Sequence, residues 1–416
     1  MKVLHAADLH IDSPLRGLTR YEGAPVEEMQ LAARHATENL VQAAIDHTVD
    51  LVVIAGDVFD GDWKDYGTGL FWTRQLGQLH DHGIPVVIVA GNHDAASDFS
   101  RRLTMPDNVT QLSTSKPEAK RFDHLDLVVV GQGYGARSMS NDLAAGFPIA
   151  DPGLFTLGLL HTSLDGRPGH ASYAPTSLDM LRGRGYQYWA LGHVHKREVV
   201  LEDPWVVFPG NVQGRHARET GSKGASLVTV ENGEVQSVEH LSLDVARWAD
   251  CAVDCAAAND LDSILALVGS RLDEAVAEAD GRLVAVRVRL VGASPAHHVL
   301  WTNPDRVEAE VRSLGALQTG VWIEKVKIET RRQSEVDTEL MAGIASTAAA
   351  LKASVDELAA LDNMFTDFRN KIPAELRLDG GLSDGEPVLA SPAHIAASLD
   401  AAVDLVTAML SGSGAA

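Results

Sequence analysis

Cysteine is almost absent. Only Cys251 and Cys255 occur in 416 residues, four apart and with no second pair, so a structural zinc site is not expected. A reducing, cytoplasmic compartment is the expectation instead. Positive charge is also scarce: 35 Lys and Arg against 57 Asp and Glu leave a net charge of −22. That balance argues against a free-standing, sequence-blind nucleic-acid binder. It leaves room for a nuclease whose metals and partner supply positive charge. No apolar run approaches the roughly 20 residues that span a bilayer, so no membrane association is expected. Met1–Asp8 lacks the hydrophobic core of a signal peptide, and a strand entering at residue 2 is expected there. What the chain does have is 45% hydrophobic residues over a length too great for one core. A globular protein of two or three domains follows.

Its chemistry gathers where apolar runs stop. Ile84–Ala90 is a β-branched run that ends at Gly91-Asn92-His93-Asp94. Leu51–Ala55 ends at Gly56-Asp57-Val58-Phe59-Asp60, and the first strand, residues 2–7, ends at Asp8-Leu9-His10. Helical patterns over 27–49 and 68–82 separate these runs, so the first 94 residues read strand-helix-strand-helix-strand. Right-handed crossovers put all three strand ends on one edge of a parallel sheet. Residues 95–124 read as polar and irregular. Phe155–Leu160 ends at His161, and Tyr188–Leu191 ends at Gly192-His193-Val194-His195. In an extended segment, residues two apart face the same way, which pairs Asp8 with His10 and His193 with His195. Taken singly, each motif is equally a set of turn residues.

Together they make a donor set of carboxylate, amide and imidazole without thiolate, which suits Mn²⁺, Fe²⁺ or Zn²⁺. There are enough donors for two ions, with Asp57 as the carboxylate able to bind both. Two ions about 3.5–4 Å apart can stabilise the attacking and leaving oxygens of an in-line displacement at phosphorus. The motifs Asp-x-His, Gly-Asp-x-x-Asp, Gly-Asn-His-Asp, a lone His and Gly-His-x-His occur in that order across about residues 1–240. In this they resemble the calcineurin-type metallophosphoesterase superfamily. The tracts Asp8–Pro14 and Pro209–Arg215 resemble its SbcD-type DNA repair exonuclease branch, nearest to the YhaO-like members.

That resemblance implies a calcineurin-like β-sandwich flanked by helices over 1–243. It also implies two divalent ions, most simply Mn²⁺. One would take Asp8, His10 and His195 and share Asp57. The other would take Asp57, Asn92, His161 and His193. His93 would stay off the metals to assist the leaving oxygen or steady phosphate charge, and Asp94 would orient it. Asp12 and Asp60 are candidates for supporting groups behind the ligands, or for plain turn residues. Arg215, Arg218 and Lys223, with His216 and the glycines 210, 214, 221 and 224, are candidate phosphate or DNA contacts or else a solvated loop. Arg101-Arg102 is a weaker candidate of the same kind.

Composition shifts after residue 243. Strands at 249–257, 283–291 and 321–328 and helices at 260–279 and 304–314 predict a small α+β domain over 244–332, with Pro304 near a helix start. In SbcD-like proteins this is the position of a capping domain. From 333 to 416 the chain reads as helical. Leu340, Ile344, Ala348, Leu351, Val355 and Leu358 form one stripe, continued by Leu361, Phe365, Phe368 and Ile372 up to Pro373. A linker at Asp379–Pro387 precedes a second helix from Pro392, striped by Ile395, Leu399, Val403, Val406 and Leu410, and Ser411–Ala416 is a tail. Those stripes must pack on the protein's own cap, on a second copy in a homodimer, or on the coiled-coil ATPase (SbcC-like, of SMC type) that is this branch's usual partner.

The leading expectation is a two-metal nuclease, exonuclease or endonuclease, acting on DNA in repair. The alternatives are a phosphoesterase acting on nucleotides, other small phosphodiesters or phosphoproteins, and an interaction protein with a vestigial metal site.

Overall fold

Runs dominated by Val, Ile and Leu, with no polar alternation, belong in strands covered on both faces. The computed structural model describes residues 1–13, 25–60, 66–95, 103–164, 174–332, 338–353 and 400–405. In it β1 (Lys2–Ala6), β2 (Leu51–Ala55) and β3 (Val86–Val89) lie parallel and adjacent. Their crossovers are α1 (Val26–Asp46) and α2 (Gly67–Asp81). In α1, Met29, Ala32, Ala36, Leu40 and Ala44 recur at three- and four-residue steps and are all buried. Ala36, Leu40 and Ala44 pack with Phe71, Trp72, Leu76 and Leu79 of α2 on the face of the sheet that carries Leu4, Val52, Ile54 and Ile88, while Met29 and Ala32 pack with Ala217, Ala246 and Trp248.

A single turn of helix, α3 (Asn92–Ala95), follows β3. The stretch expected to be irregular contains two strands, β4 (Val109–Gln111) and β5 (Glu118–Phe122). Their side chains are mostly half-buried or exposed, so no apolar run marked them. Then come β6 (Leu127–Gln132), β7 (Phe155–His161), α4 (Leu178–Arg182), β8 (Tyr188–Gly192), β9 (Glu198–Glu202) and β10 (Trp205–Phe208). The expected hairpin is β11 (Gly224–Glu231) and β12 (Glu234–Ser242), joined by Asn232 and Gly233, both at positive φ.

Two six-stranded sheets result. One has the order β12-β11-β1-β2-β3-β4, the other β5-β6-β7-β8-β10-β9. Alternate residues of each make the shared core: Val3, Val53 and Val87 with Val129, Leu157 and Ala190. This is the expected helix-flanked sandwich. Its second sheet buries its other face, including Trp189, Leu191 and Phe208, beneath Tyr134, Phe147 and Tyr186.

A polar bolt joins the sheets. His5 on β1 is fully buried; its Nε2 lies 3.2 Å from the Leu191 carbonyl and its Nδ1 3.0 Å from the Tyr188 hydroxyl. The carbonyl can only accept, so Nε2–H donates and Nδ1 accepts from Tyr188. Burial pushes the His5 pKa down to about 3. The unfolded histidine, titrating near 6.5, takes up protons first. Stability present above about pH 6.5 is therefore lost as pH falls toward 3. In urea melts of metal-stripped protein, His5 should account for about 2 kcal/mol of the loss between pH 7 and 5. His5→Gln, which can keep both hydrogen bonds, should shrink that pH dependence. An unchanged slope would remove His5 from the account.

The second half contains β13 (Ala246–Asp254), α5 (Leu261–Ala279), β14 (Leu283–Ser294), α6 (His297–Thr302), α7 (Pro304–Ala316), β15 (Val321–Arg332) and α8 (Thr338–Ala353). Its strands form a sheet in the order β13-β14-β15, and Pro304 opens α7. Cys251 and Cys255 are buried and form no disulfide. The chain divides into two compact units. The first is Met1–Asp250 with Glu274–Arg287 and Gln318–Glu324; the second is Cys251–Asp273, Val288–Leu317 and Lys325–Ala416. Among the described residues, no helix is long and apolar enough to cross a membrane. Pro14, Arg101-Arg102, the apolar stripe from Val355 to Ile372 with Pro373, the linker at 379–387, Pro392, Ile395, Leu399, Val406, Leu410 and the tail lie outside the described residues.

Candidate metal centre

The ligand-bearing turns start where buried strands stop, but not by the expected geometry. Asp8, His10 and Asp57 have left-handed backbone, with φ of 52, 45 and 52°, and His193 sits at 102°. Strand alternation therefore does not aim these side chains. Each such residue costs of order 1–3 kcal/mol, least for Asp, and persists only where its surroundings hold it. Here the first two turns hold each other: Asp8 N–H donates to the Gly56 carbonyl at 3.0 Å and His10 N–H to that of Asp57 at 3.1 Å. Gly91 is required because the third turn presses on the second. A Cβ there would lie 2.2 Å from Asp57 Oδ1 and 2.6 Å from Asp57 N.

Seven predicted donors converge in two groups. In the first, His10 Nε2 and His195 Nε2 are 3.2 Å apart, and Asp8 Oδ1 is 3.9 Å from His195 Nε2. In the second, His161 Nε2 lies 3.0 Å from Asn92 Oδ1, 3.3 Å from His193 Nδ1 and 3.4 Å from Asp57 Oδ2. The same Asp57 Oδ2 is 4.0 Å from His10 Nε2, so one carboxylate oxygen stands between the groups. His193 and His195, read as facing the same way, serve different groups.

Tautomers agree with this placing. His161 Nδ1 lies 2.9 Å from the Ala55 carbonyl and His195 Nδ1 2.6 Å from Glu219 Oε1. Each acceptor fixes the proton on Nδ1 and leaves the Nε2 lone pair toward the cluster. Burial lowers the pKa of His10, His195 and His161, the last to about 3, so these imidazoles are neutral. Burial and the charge of Asp57 raise Asp8, and burial raises Asp57 to about 6. Neutral imidazoles crowd two buried carboxylates that repel one another. Such a donor set fits divalent cations, which would accept the lone pairs and relieve the repulsion.

His93 differs from the seven. It is 36% exposed, and its Nδ1 is 2.7 Å from Asp60 Oδ1. That bond raises the His93 pKa. Burial alone would raise the Asp60 pKa, but His10, His93 and Ser13 together hold it well below the usual carboxylate range. The expectation that Asp94 orients His93 is corrected: the orienting carboxylate is Asp60. Asp94 instead accepts from the backbone N–H groups of Val58, Phe59 and Gly91 at 3.3, 3.0 and 3.0 Å. A residue next to His93 in sequence points into the neighbouring turn, and one 33 positions earlier reaches it. Asp12 lies outside the cluster, in a salt bridge with Arg34.

The basic candidates separate. Arg215 stands at the site, with Nη1 3.6 Å from Asp60 Oδ2 and 3.4 Å from Ser13 Oγ. Arg218 is exposed. Lys223 is corrected: it is only 6% exposed, and its ammonium donates to the His195 carbonyl at 3.0 Å, so it faces no solvent-borne phosphate. Glu219 was missed. It was legible only as the single acid between Arg215 and Lys223. Its Oε2 also accepts from Asn211 Nδ2 and from the Arg215 N–H, at 2.9 and 2.7 Å.

Comparison with known proteins agrees with this geometry. Residues 1–197 match the family described as calcineurin-like phosphoesterase, and residues 248–331 match the middle domain of metallophosphoesterase YhaO. The chain is 34% identical over 296 residues to the "Uncharacterized metallophosphoesterase YhaO" of Bacillus subtilis, covering 70% of this chain and 72% of that one. It is 24% identical over 350 residues to the "DNA double-strand break repair protein Mre11" of Methanopyrus kandleri, covering 75% and 70%. It is 24% identical over 287 residues to the D component of the nuclease SbcCD of Escherichia coli, covering 59% and 69%.

Proposed function

The chain belongs to the calcineurin-like metallophosphoesterases, and from that premise we propose that it is a two-metal, Mn²⁺-dependent phosphodiesterase that cleaves DNA. In this reading it is a cytoplasmic nuclease working in repair beside an SbcC-like, SMC-type ATPase. The observation that carries the DNA assignment is the similarity to Mre11, which covers 75% of this chain. The stretch matched by the phosphoesterase family, 1–197, is less than half of the chain, so the likeness to a DNA repair protein is not confined to the metal motifs.

One ion would be held by Asp8, His10, His195 and Asp57, and the other by Asp57, Asn92, His161 and His193. When bound, two divalent ions supply Lewis acidity to the phosphate and lower the pKa of water. Oxygen and imidazole donors without thiolate accommodate Mn²⁺. His93 holds its Nδ1 proton against Asp60, which leaves Nε2–H as the proton for the departing oxygen. Its raised pKa keeps that proton available near neutral pH. Arg215, braced by Asp60 and Ser13, contributes a fork of N–H donors for phosphate oxygens. Asp94 keeps the turns of Asp57 and Gly91 in register. The span 1–243 acts as the catalytic domain, 244–332 as a cap that limits which DNA enters, and 333–416 as the partner-binding region.

One observation favours a second reading, a phosphoesterase for nucleotides, other small phosphodiesters or phosphoproteins. Lys223 is buried rather than presented at the surface, and the chain carries a net charge of −22. Purified protein with Mn²⁺ should degrade linear duplex DNA and hydrolyse bis-p-nitrophenyl phosphate, and EDTA should stop both. Hydrolysis of the small diester with DNA left intact would transfer the assignment to the second reading. No hydrolysis of DNA, the small diester, nucleotides or a phosphopeptide with Mn²⁺ bound would overturn both.

A further inference from the structure

Lys223 is a buried cation that the hydrolytic scheme does not use. Placing an ammonium out of water costs several kcal/mol unless it is opposed and hydrogen-bonded. A methionine would fill similar space without that cost. The ammonium donates to the carbonyl of His195, and the carboxylates of Glu219 and Asp244 attract it. His195 is thereby held at its ring by Glu219 and at its carbonyl by Lys223, which shares that oxygen with the Asn211 N–H at 3.3 Å.

Lys223 is itself fastened from behind. Its carbonyl accepts from the N–H groups of Leu243 and Asp244 at 2.9 and 3.2 Å. The Asp244 carboxylate, 2% exposed, accepts from Arg247 Nε and Nη2 at 3.0 and 2.9 Å, and Arg282 Nε lies 3.1 Å from its Oδ1. All of these residues belong to the first compact unit. The second donor group is braced by other contacts: His161 is held by Ala55, and Asn92 starts α3 directly behind β3.

We propose that Lys223 is a positioning residue for the metal ion at Asp8, His10 and His195, and that it ties this ion to the Asp244–Arg247–Arg282 cluster. The two metal sites then differ in how the fold holds them. The inference rests on the two-metal reading. Lys223 touches no reacting atom and acts through His195.

The test is calorimetric titration of the metal-stripped full chain with Mn²⁺. The wild type should show two binding events. Lys223→Met should weaken one of them about ten- to a hundredfold and leave the other within about threefold, the range for groups that orient metal ligands. Asp244→Asn should weaken the same event by less, and the double variant should fall short of the combined losses. With bis-p-nitrophenyl phosphate, Lys223→Met should lower kcat at limiting Mn²⁺ and recover it at excess Mn²⁺, with KM unchanged; a merely loosened fold would not recover. Fewer than two events in the wild type would overturn the two-metal reading itself. Two events in the wild type, with both unchanged or both equally weakened in the folded variant, would overturn the role of Lys223 alone. If Lys223→Met does not fold, Asp244→Asn and Arg282→Lys decide, and unchanged affinities in both overturn the proposal.

Discussion

Asp57→Asn should lower kcat by about a thousandfold or more, a loss of at least ~4 kcal/mol of transition-state stabilisation. The expectation follows from position. Asp57 Oδ2 stands between the donor groups, 3.4 Å from His161 and 4.0 Å from His10, while Oδ1 accepts from the His93 N–H at 2.9 Å. The same change should not unfold the metal-free protein. Burial raises the Asp57 pKa to about 6, above the unfolded value near 3.8. Its contribution to stability is therefore complete below about pH 3.8 and is lost as pH rises through 6. At pH 7 the ionised carboxylate opposes folding by up to roughly 3 kcal/mol, and Asn removes that opposition. Saturating Mn²⁺ should reverse the order, because only the wild type gains the full binding free energy of both ions. Thermal melts with and without Mn²⁺, beside turnover of a phosphodiester, measure both halves. Near-normal turnover by the Asn variant would exclude Asp57 from the site.

Asp60→Asn should cost about 10²–10⁴-fold in kcat, the range seen when an imidazole that moves a proton loses the carboxylate orienting it. The pH profile separates this role from a structural one. Asp60 raises the His93 pKa, and the protonated imidazole is the form that assists the leaving oxygen. Activity that depends on it is present below the His93 pKa and falls as pH rises through it. Without the carboxylate that pKa drops, so the alkaline limb should move to lower pH. Asp94→Asn provides the contrast. Asp94 accepts three backbone N–H groups, and an amide oxygen cannot replace both of its carboxylate oxygens. Burial and the charge of Asp57 raise the Asp94 pKa to about 6, so relief of that charge offsets the lost hydrogen bonds, and its replacement should leave the alkaline limb in place. A limb that moves with Asp94→Asn and not with Asp60→Asn would reverse the assignment.

Much of this protein was legible without coordinates, because the relevant signals are local. Continuous β-branched runs marked the central strands, and three- and four-residue apolar steps marked α1 and α2 within a residue or a few. Polar clusters after those runs picked out Asp8, His10, Asp57, Asn92, His161, His193 and His195, which the fold brings together. The weakly apolar β4 and β5 carried no such signal, and the sheet orders depend on pairings between distant segments.

Only the tertiary structure decided what each polar side chain touches. Asp94 is adjacent to His93 in sequence and was paired with it, yet Asp60 makes the contact. Lys223 belongs to a basic stretch, yet it points inward to His195, 28 residues away. Asp8 and His10 reach one cluster through left-handed backbone rather than strand alternation, a conformation that Asp and His tolerate without announcing. The physical reason is common to all three. Periodicity and propensity act over a few residues and determine strands, helices and the ends where polar groups collect. Partners, protonation and strain are set by turns from distant segments pressing together, and no local pattern encodes them.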